Sequence, residues 1–270
     1  MKVVLFCGGM GMRLREYSEN IPKPMVPIGL RPIIWNIMKY YAHYGHKDFI
    51  LCLGHKADVI KDYFIHYDET ISNNFILKRG GKNIKLLSKD IDDWSITFVD
   101  TGLNSNIGQR LMAVKEFLEG EEMFLANYSD GLSDLNLNRM ISWFKAQKNK
   151  VASFVAYQPT QSFHVVSRNE DGLVTDINHI GASGFYINTG YFILRKEIFN
   201  YMNHGDELVE EPFHRLIKKQ KLVSYEHAGF WASMDTYKDK QKLDEAYAKG
   251  NPPWEVWHPD QNLGGKSMVG

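Results

Sequence analysis

The chain has almost no cysteine. Two thiols in 270 residues, Cys7 and Cys52, exclude a disulfide-stapled scaffold, and both fall in apolar, strand-like runs where small reduced thiols pack well. Net charge is missing too: 32 lysines and arginines oppose 32 acidic residues. No global field therefore draws the chain to nucleic acid or to an anionic membrane, and any anion site must be a local gathering of positive groups. No apolar run is long enough to span a bilayer, and the opening "MKVVLFCGG" is too short in its apolar part for a signal sequence. These absences predict a cytoplasmic protein without nucleic-acid or membrane partners. Low-complexity tracts and internal repeats are absent as well. What is present is 44% apolar residues, enough for a sizeable core.

The first half alternates strand and helix patterns. "KVVLF" is a short apolar run closed by glycine, the mark of a buried strand. "RPIIWNIMKYYAHYG" carries Ile34, Ile37, Met38 and Tyr41 at helical spacing, between Pro32 and Gly45. "DFILCLG" and "DVIKDYFIHY" repeat the pair, which predicts a mostly parallel sheet of Rossmann-like α/β type. Residues 68–95, with "KRGGKN", read as a polar excursion over the surface. The alternation resumes with "SITFVD", a helix near 107–118, "EMFLANYSDG", and a helix marked by Leu137, Met140, Ile141 and Phe144. From about 151 the runs "VASFVAY", "FHVVSR", "GLVTDI" and "INTGYFIL" predict a smaller, β-rich part with antiparallel or mixed pairing. Helices near 207–219 and 236–249 flank the strand "LVSYEH". The expected organisation is a nucleotide-binding half over 1–150, an acceptor-binding half over 151–250 within the same domain, and a loosely held extension over 251–270.

The chemistry starts in "CGGMGMRLREYSENIPKPM", residues 7–25. A dinucleotide fingerprint requires G-x-G-x-x-G/A opening into a helix, yet Leu14 stands where the third small residue belongs and prolines 22, 24 and 27 forbid an immediate long helix. A P-loop would need Gly-Lys-Ser in context; the only one, at Gly265-Lys266-Ser267, has Asp260 in place of the first glycine. The remaining device is an open glycine loop whose backbone N–H groups face an anion, helped by Arg13 and Lys23.

G-G-x-G-x-R-L followed by "IPKPMVPIGLRPII" resembles the signature of the sugar-1-phosphate nucleotidylyltransferases. "YSDG" and "GFWASMDTYKDK" resemble two later elements of that family. Within it the chain is most similar to the glucose-1-phosphate cytidylyltransferases, through "DTG" at Asp100 to Gly102, Gly108 to Arg110, and "EHAGFWASMDT". The resemblance implies transfer of a nucleotidyl group from CTP to a phosphorylated acceptor, with pyrophosphate leaving. It implies Mg2+ held by Asp130 and Asp235, and nucleotide binding by Gly8, Gly9, Gly11, Arg13, Thr101, Arg110 and Asp130. Arg13 and Lys23 become the catalytic cations, while Lys23, His179 and Asn188 face the acceptor. A homo-oligomer is implied too, with residues 68–95 as part of the contact. Aspartates that merely cap a turn at Asp130 or a helix at Asp235 remain the structural alternative, as does a surface salt bridge for Arg110.

The reaction suits this residue set. A phosphate oxygen is already a nucleophile, so the enzyme must bring two anions together in line and screen their repulsion. Two unit charges ~4 Å apart repel by about 4 kcal/mol at an effective dielectric of about 20. Magnesium, which favours oxygen ligands, is the natural screen.

The chain departs from the family at the acceptor end. A Glu-Lys pair usually follows the strand equivalent to "GLVTDI"; here Asn178 and His179 occupy that neighbourhood. The family's Arg-Phe-Gly-like turn reads "SFHVV", with His164. The acceptor is therefore glucose 1-phosphate or a related phosphate, and the departures favour a different phosphorylated compound, held by His179, Arg168 or a partner chain. Two other readings stand: a catalytically silent nucleotide-binding subunit, and a glycosyltransferase using the D-x-D spacing of Asp90 and Asp92.

Overall fold

The computed structural model describes residues 1–9, 21–160 and 163–258. In chain order the strands are β1 (Val3–Phe6), β2 (Pro27–Ile28), β3 (Arg31–Pro32), β4 (Asp48–Leu53), β5 (Phe75–Lys78), β6 (Asn83–Leu86), β7 (Ser95–Asp100), β8 (Met123–Asn127), β9 (Gly131–Ser133), β10 (Ala152–Tyr157), β11 (His164–Arg168), β12 (Val174–His179), β13 (Ile187–Arg195), β14 (Leu222–His227) and β15 (Trp231–Ser233). The α-helices are α1 (Ile33–His43), α2 (Ala57–Ile65), α3 (Ile107–Ala113), α4 (Leu137–Ala146), α5 (Glu211–Lys218) and α6 (Tyr237–Ala248).

A seven-stranded sheet of order β14-β10-β13-β8-β1-β4-β7 forms the centre. Its strands run parallel except β13, which pairs antiparallel with both β8 and β10. The mixed α/β architecture is the one the alternating pattern predicts, and the second half joins the same sheet instead of forming its own. Alternation along the strands explains why their runs are apolar throughout. Val3 and Leu5 face one core with α1 and α4, while Val4 and Phe6 face a second core with Leu111 of α3 and Phe213 and Leu216 of α5. A central strand covered on both faces has no solvent side to make polar.

The topology fixes where a ligand can sit. From β1 the chain steps to β4 and β7 on one side, then returns to β8 on the other. The order thus reverses between β1 and β8, and the loops leaving their carboxyl ends diverge into a crevice, the general ligand position of open α/β sheets. Those loops are Cys7 to Gly9 and Tyr128 to Asp130.

Two sequence expectations are corrected. Residues 68–95 contain a β-hairpin, β5–β6, turned through Arg79, Gly80 and Gly81 at positive φ; the Gly-Gly pair carries the turn because it reaches φ > 0 without strain. The start of the carboxyl-terminal extension is not loose. Trp254 is 1% exposed, its indole N–H donates to Asn36 Oδ1 at 3.3 Å, and Trp257 packs edge-on against Trp35 at 6.0 Å. Burying large aromatic rings gives this segment more apolar area than its prolines and polar residues suggest. Residues 259–270, including Gly265 to Ser267, lie outside the described residues. Among the described residues no helix is long and apolar enough to cross a membrane.

Candidate active site

Asp130 follows β8 in "YSDG". Ser129 takes a left-handed φ of 65°, and its N–H donates to Asn127 Oδ1 at 2.7 Å, so the chain turns sharply at the sheet edge and leads Asp130 into the crevice. The short β9–β15 ladder then pairs Gly131 with Ser233, and Met234 N–H donates to the Asp130 carbonyl at 2.8 Å. Asp235, 105 positions further along the chain, is carried to the same place by that ladder. Thr236, not Asp235, caps α6, in a capping box with Asp239; the capping alternative for Asp235 is thereby removed.

Lys23 meets both acids. Its Nζ lies 2.8 Å from Asp130 Oδ2 and 2.8 Å from Asp235 Oδ1. Proline supplies the rigidity: Lys23 opens a short 3-10 turn over Lys23–Met25 between Pro22 and Pro24, and Met25 N–H donates to the Pro22 carbonyl. Burial by itself favours the neutral amine, but the Asp130 charge and the hydrogen bonds that the ammonium donates to both carboxylates outweigh it and raise Lys23 above its ordinary value. Asp130 is pushed up by burial and by the Asp235 charge, against the pull of Lys23. Among these three side chains one ammonium leaves an excess of negative charge against two carboxylates.

That excess is the test of fit for a divalent ion. Two carboxylates less than two hydrogen-bond lengths apart suit Mg2+, which takes one or two protein carboxylates and completes its shell with phosphates and water. Among the described residues no cluster of three or more His, Cys, Asp or Glu supplies a fuller cage.

On the β1 side, Gly8 and Gly9 are in the crevice-facing loop, while Gly11 and Arg13 lie outside the described residues. Arg110 and Thr101 sit behind that loop. The guanidinium is 3% exposed; Nη1 donates to Leu53 O at 3.0 Å and Thr101 Oγ1 at 2.7 Å, and Nη2 to Gly8 O at 3.0 Å. Arg110 therefore ties the ends of β1, β4 and β7 together through the Gly8 and Leu53 carbonyls and the Thr101 hydroxyl, and the surface salt bridge is not formed. Gly8 and Gly54 are small because this guanidinium fills the space beside them.

The acceptor candidates divide. Asn188 opens β13 beside the carboxylate turn: its Nδ2 is 3.5 Å from Tyr128 Oη, and its Oδ1 accepts from Gly190 N–H. His179 ends β12 on the exposed β11–β12 hairpin, directly across from His164, with ring centroids 5.7 Å apart. Its Nδ1 accepts from Gly181 N–H at 3.1 Å, which makes Nε2–H the outward donor of the neutral ring. Tyr128 and Trp231 were not singled out in the sequence. Trp231 Nε1 is buried without a partner among the described residues and packs on Gly131, where a side chain would stand 3.0 Å away. Only the glycine of "SDG" hints at that contact.

The D-x-D reading fails on burial. Asp90 is 9% exposed and accepts from Lys39, Tyr67, Ser72 and Asn73, while Asp92 pairs with Lys89 at the surface. Their spacing is that of an internal ion network and an adjoining exposed pair.

A crevice at the switch point of a mostly parallel sheet, floored by glycines and edged by two acids sharing a lysine, defines a nucleotide-handling α/β enzyme of phosphoryl chemistry. The nucleotidyl transferase family model matches residues 2–242. A probable glucose-1-phosphate cytidylyltransferase from Bacillus subtilis is 36% identical over 95% of this chain and 100% of its own length, and the glucose-1-phosphate cytidylyltransferase of Salmonella typhimurium is 36% identical with the same coverage. The fold is shared with a UTP-bound UGPase from Acinetobacter baumannii, at a TM-score of 0.68, 19% identity and coverage of 98% and 99% of the two chains. The chain belongs to the nucleotidyl transferase family.

Proposed function

We propose that this protein is a cytidylyltransferase that joins CTP to a sugar 1-phosphate, giving a CDP-linked sugar and pyrophosphate. The observation that carries the reading is the convergence of Lys23, Asp130 and Asp235, from three distant stretches of chain, at the crevice. The relatives named for glucose 1-phosphate and cytidylyl transfer, matched over nearly the whole chain, support the choice of substrates. A sugar phosphate oxygen attacks the α-phosphorus of CTP as the bond to pyrophosphate breaks. The open backbone at Gly8 and Gly9 lets the nucleotide approach closely, with Gly11 and Arg13 following in the sequence. Arg110 and Thr101 hold that loop in shape. Asp130 and Asp235 would hold Mg2+, which would supply charge screening between the two substrates. Lys23 stabilises charge developing at the α-phosphate. Convergence of all three groups argues against a catalytically silent subunit.

The acceptor is where this chain differs. Asn188 lies close enough to the carboxylate turn to meet a sugar hydroxyl, and His179 offers an imidazole where an ammonium is usual. A less charge-driven grip on the acceptor favours a phosphorylated compound other than glucose 1-phosphate. The exposed apolar side chains of the β5–β6 hairpin, Phe75, Ile76, Leu77 and Ile84, each 41–56% exposed, support self-association through residues 68–95. Two buried, unpaired thiols support a cytoplasmic setting.

Pyrophosphate release with each common nucleoside triphosphate, across a panel of sugar 1-phosphates and other small phosphates, tests the proposal. The expected result is release with CTP and one acceptor class. CTP binding without release from any pair overturns it in favour of the silent subunit, and efficient turnover of glucose 1-phosphate overturns the altered-acceptor reading alone.

A further inference from the structure

The two carboxylates already hold a cation, and it is the protein's own. Lys23 Nζ sits within 2.8 Å of an oxygen on each, in the space a divalent ion needs to touch both. An ammonium and a divalent ion cannot occupy that space together, because their repulsion at contact distance in a half-buried crevice is severe. Either the ion is excluded or the lysine leaves.

The backbone and the side chain are built for the second course. Pro22 and Pro24 fix the main chain around Lys23, so nothing there has to rearrange, while the four-carbon stem is flexible and ends in a compact point charge. Departure without a new partner would strand a cation in a partly buried place. A triphosphate offers that partner, and it also brings the ion oxygen ligands beyond the two carboxylates, since no cluster of three or more His, Cys, Asp or Glu is found among the described residues. Metal alone competes poorly against Lys23; metal together with nucleotide competes well.

Resting on the reaction proposed above, we propose that Lys23 is a displaceable counter-ion. It bridges Asp130 and Asp235 in the empty enzyme and offsets part of their charge, is expelled when the metal–nucleotide complex arrives, and is thereby delivered to the phosphates. The ammonium keeps its proton throughout, and no bond is made or broken in the exchange. One residue then couples metal entry to placement of the catalytic cation, so the site charges only when nucleotide is present.

The test is Mn2+ titration of the full chain without nucleotide, read as loss of the free-ion paramagnetic resonance signal. Lys23→Met, similar in length and uncharged, is expected to bind Mn2+ at least about ten-fold more tightly than the wild type, because the competing charge at contact distance is gone. Adding Asp235→Asn to that variant should return binding to the weak level, which locates the ion at the pair. In the wild type, the Lys23 side-chain nitrogen resonance should move with Mg2+ plus CTP and stay in place with Mg2+ alone. This measurement decides the matter even if Lys23→Met does not fold. Equal or weaker Mn2+ binding by folded Lys23→Met, or a full shift with Mg2+ alone, overturns the exchange. Tightened Mn2+ binding with no pyrophosphate release from any substrate pair would instead overturn the reaction assigned above and leave the exchange standing.

Discussion

The guanidinium of Arg110 occupies the space that a side chain on Gly8 would need: a Cβ there would stand 2.1 Å from Nη1. The glycine loop and the arginine behind it are one unit, in which a buried cation is satisfied by the carbonyls of Gly8 and Leu53 and the hydroxyl of Thr101. Gly8→Ala is expected to force the guanidinium off these oxygens. Arg110→Lys keeps the charge but loses the planar fork that reaches three strand ends at once. Each change should cost about 2–4 kcal/mol, the range for breaking a buried charged hydrogen-bond network, and should weaken CTP binding. Urea denaturation and nucleotide titration check both; a wild-type midpoint for Arg110→Lys would show that the carbonyls do not depend on the fork.

Asp130 behaves as a functional residue held at a cost to the fold. Burial raises its pKa in the native state. A carboxyl raised on folding favours the native state at pH below its ordinary value, and that contribution is lost as pH rises through the native value. At neutral pH the charged group is therefore a burden. Asp130→Asn should leave stability unchanged or raise it, while turnover falls by about 100-fold or more through loss of a carboxylate proposed to hold Mg2+. Asp235→Asn should cut turnover similarly and leave Lys23 paired with Asp130 alone. Thermal melts beside pyrophosphate release separate these outcomes from those of structural aspartates, whose loss would lower both.

Much of this arrangement was legible in the sequence, and the boundary follows from range. The buried strands declared themselves because a sheet covered on both faces demands continuous apolar runs, as in "VVLF" and "DFILCL". Lys23, Asp130 and Asp235 were legible through family resemblance and not through spacing, since residues this far apart meet only by the β9–β15 ladder, two three-residue strands with no periodic signal. The burial of Arg110 is not legible for a similar reason: nothing local to "GQRLMA" says that its side chain runs inward beneath Gly8, 102 positions away. The hairpin at 75–86 reads as a polar excursion because only one of its faces, Phe75, Leu77, Ile84 and Leu86, is apolar, while the other mixes Ile76 with Lys78, Asn83 and Lys85.

Asp90 gives the contrasting case. Lys39, Tyr67, Ser72 and Asn73 all donate to it, and Arg31 lies 4.0 Å away. Burial opposes its ionisation, yet these donors and the Lys39 charge hold its carboxyl below the usual range. Asp90→Ala would leave two partly buried cations unbalanced and is expected to destabilise the fold by about 3–5 kcal/mol. Asp92→Ala, which breaks only the exposed pair with Lys89, should cost no more than about 1 kcal/mol and leave turnover at the wild-type level. Loss of activity in folded Asp92→Ala would reopen the D-x-D assignment.

His46 should make the protein sensitive to mild acid. Its Nε2 is buried without a partner among the described residues. Burial first, then the charges of the amino terminus and Lys145, bring its pKa down to about 4. An unfolded histidine titrates near 6.5, so between about pH 6.5 and pH 4 the unfolded chain binds the proton that the native ring refuses. Stability from this group is complete above the upper value and is lost progressively as pH falls toward the lower one. The ring is only partly buried, and solvent screening reduces the loss to roughly 2 kcal/mol at most. Urea titrations of wild type and His46→Gln at pH 7.5 and pH 5 isolate the effect from titrating carboxylates, because those are common to both chains. The wild type should lose more stability than the variant over this interval; equal losses would mean that the ring accepts its proton in the folded protein.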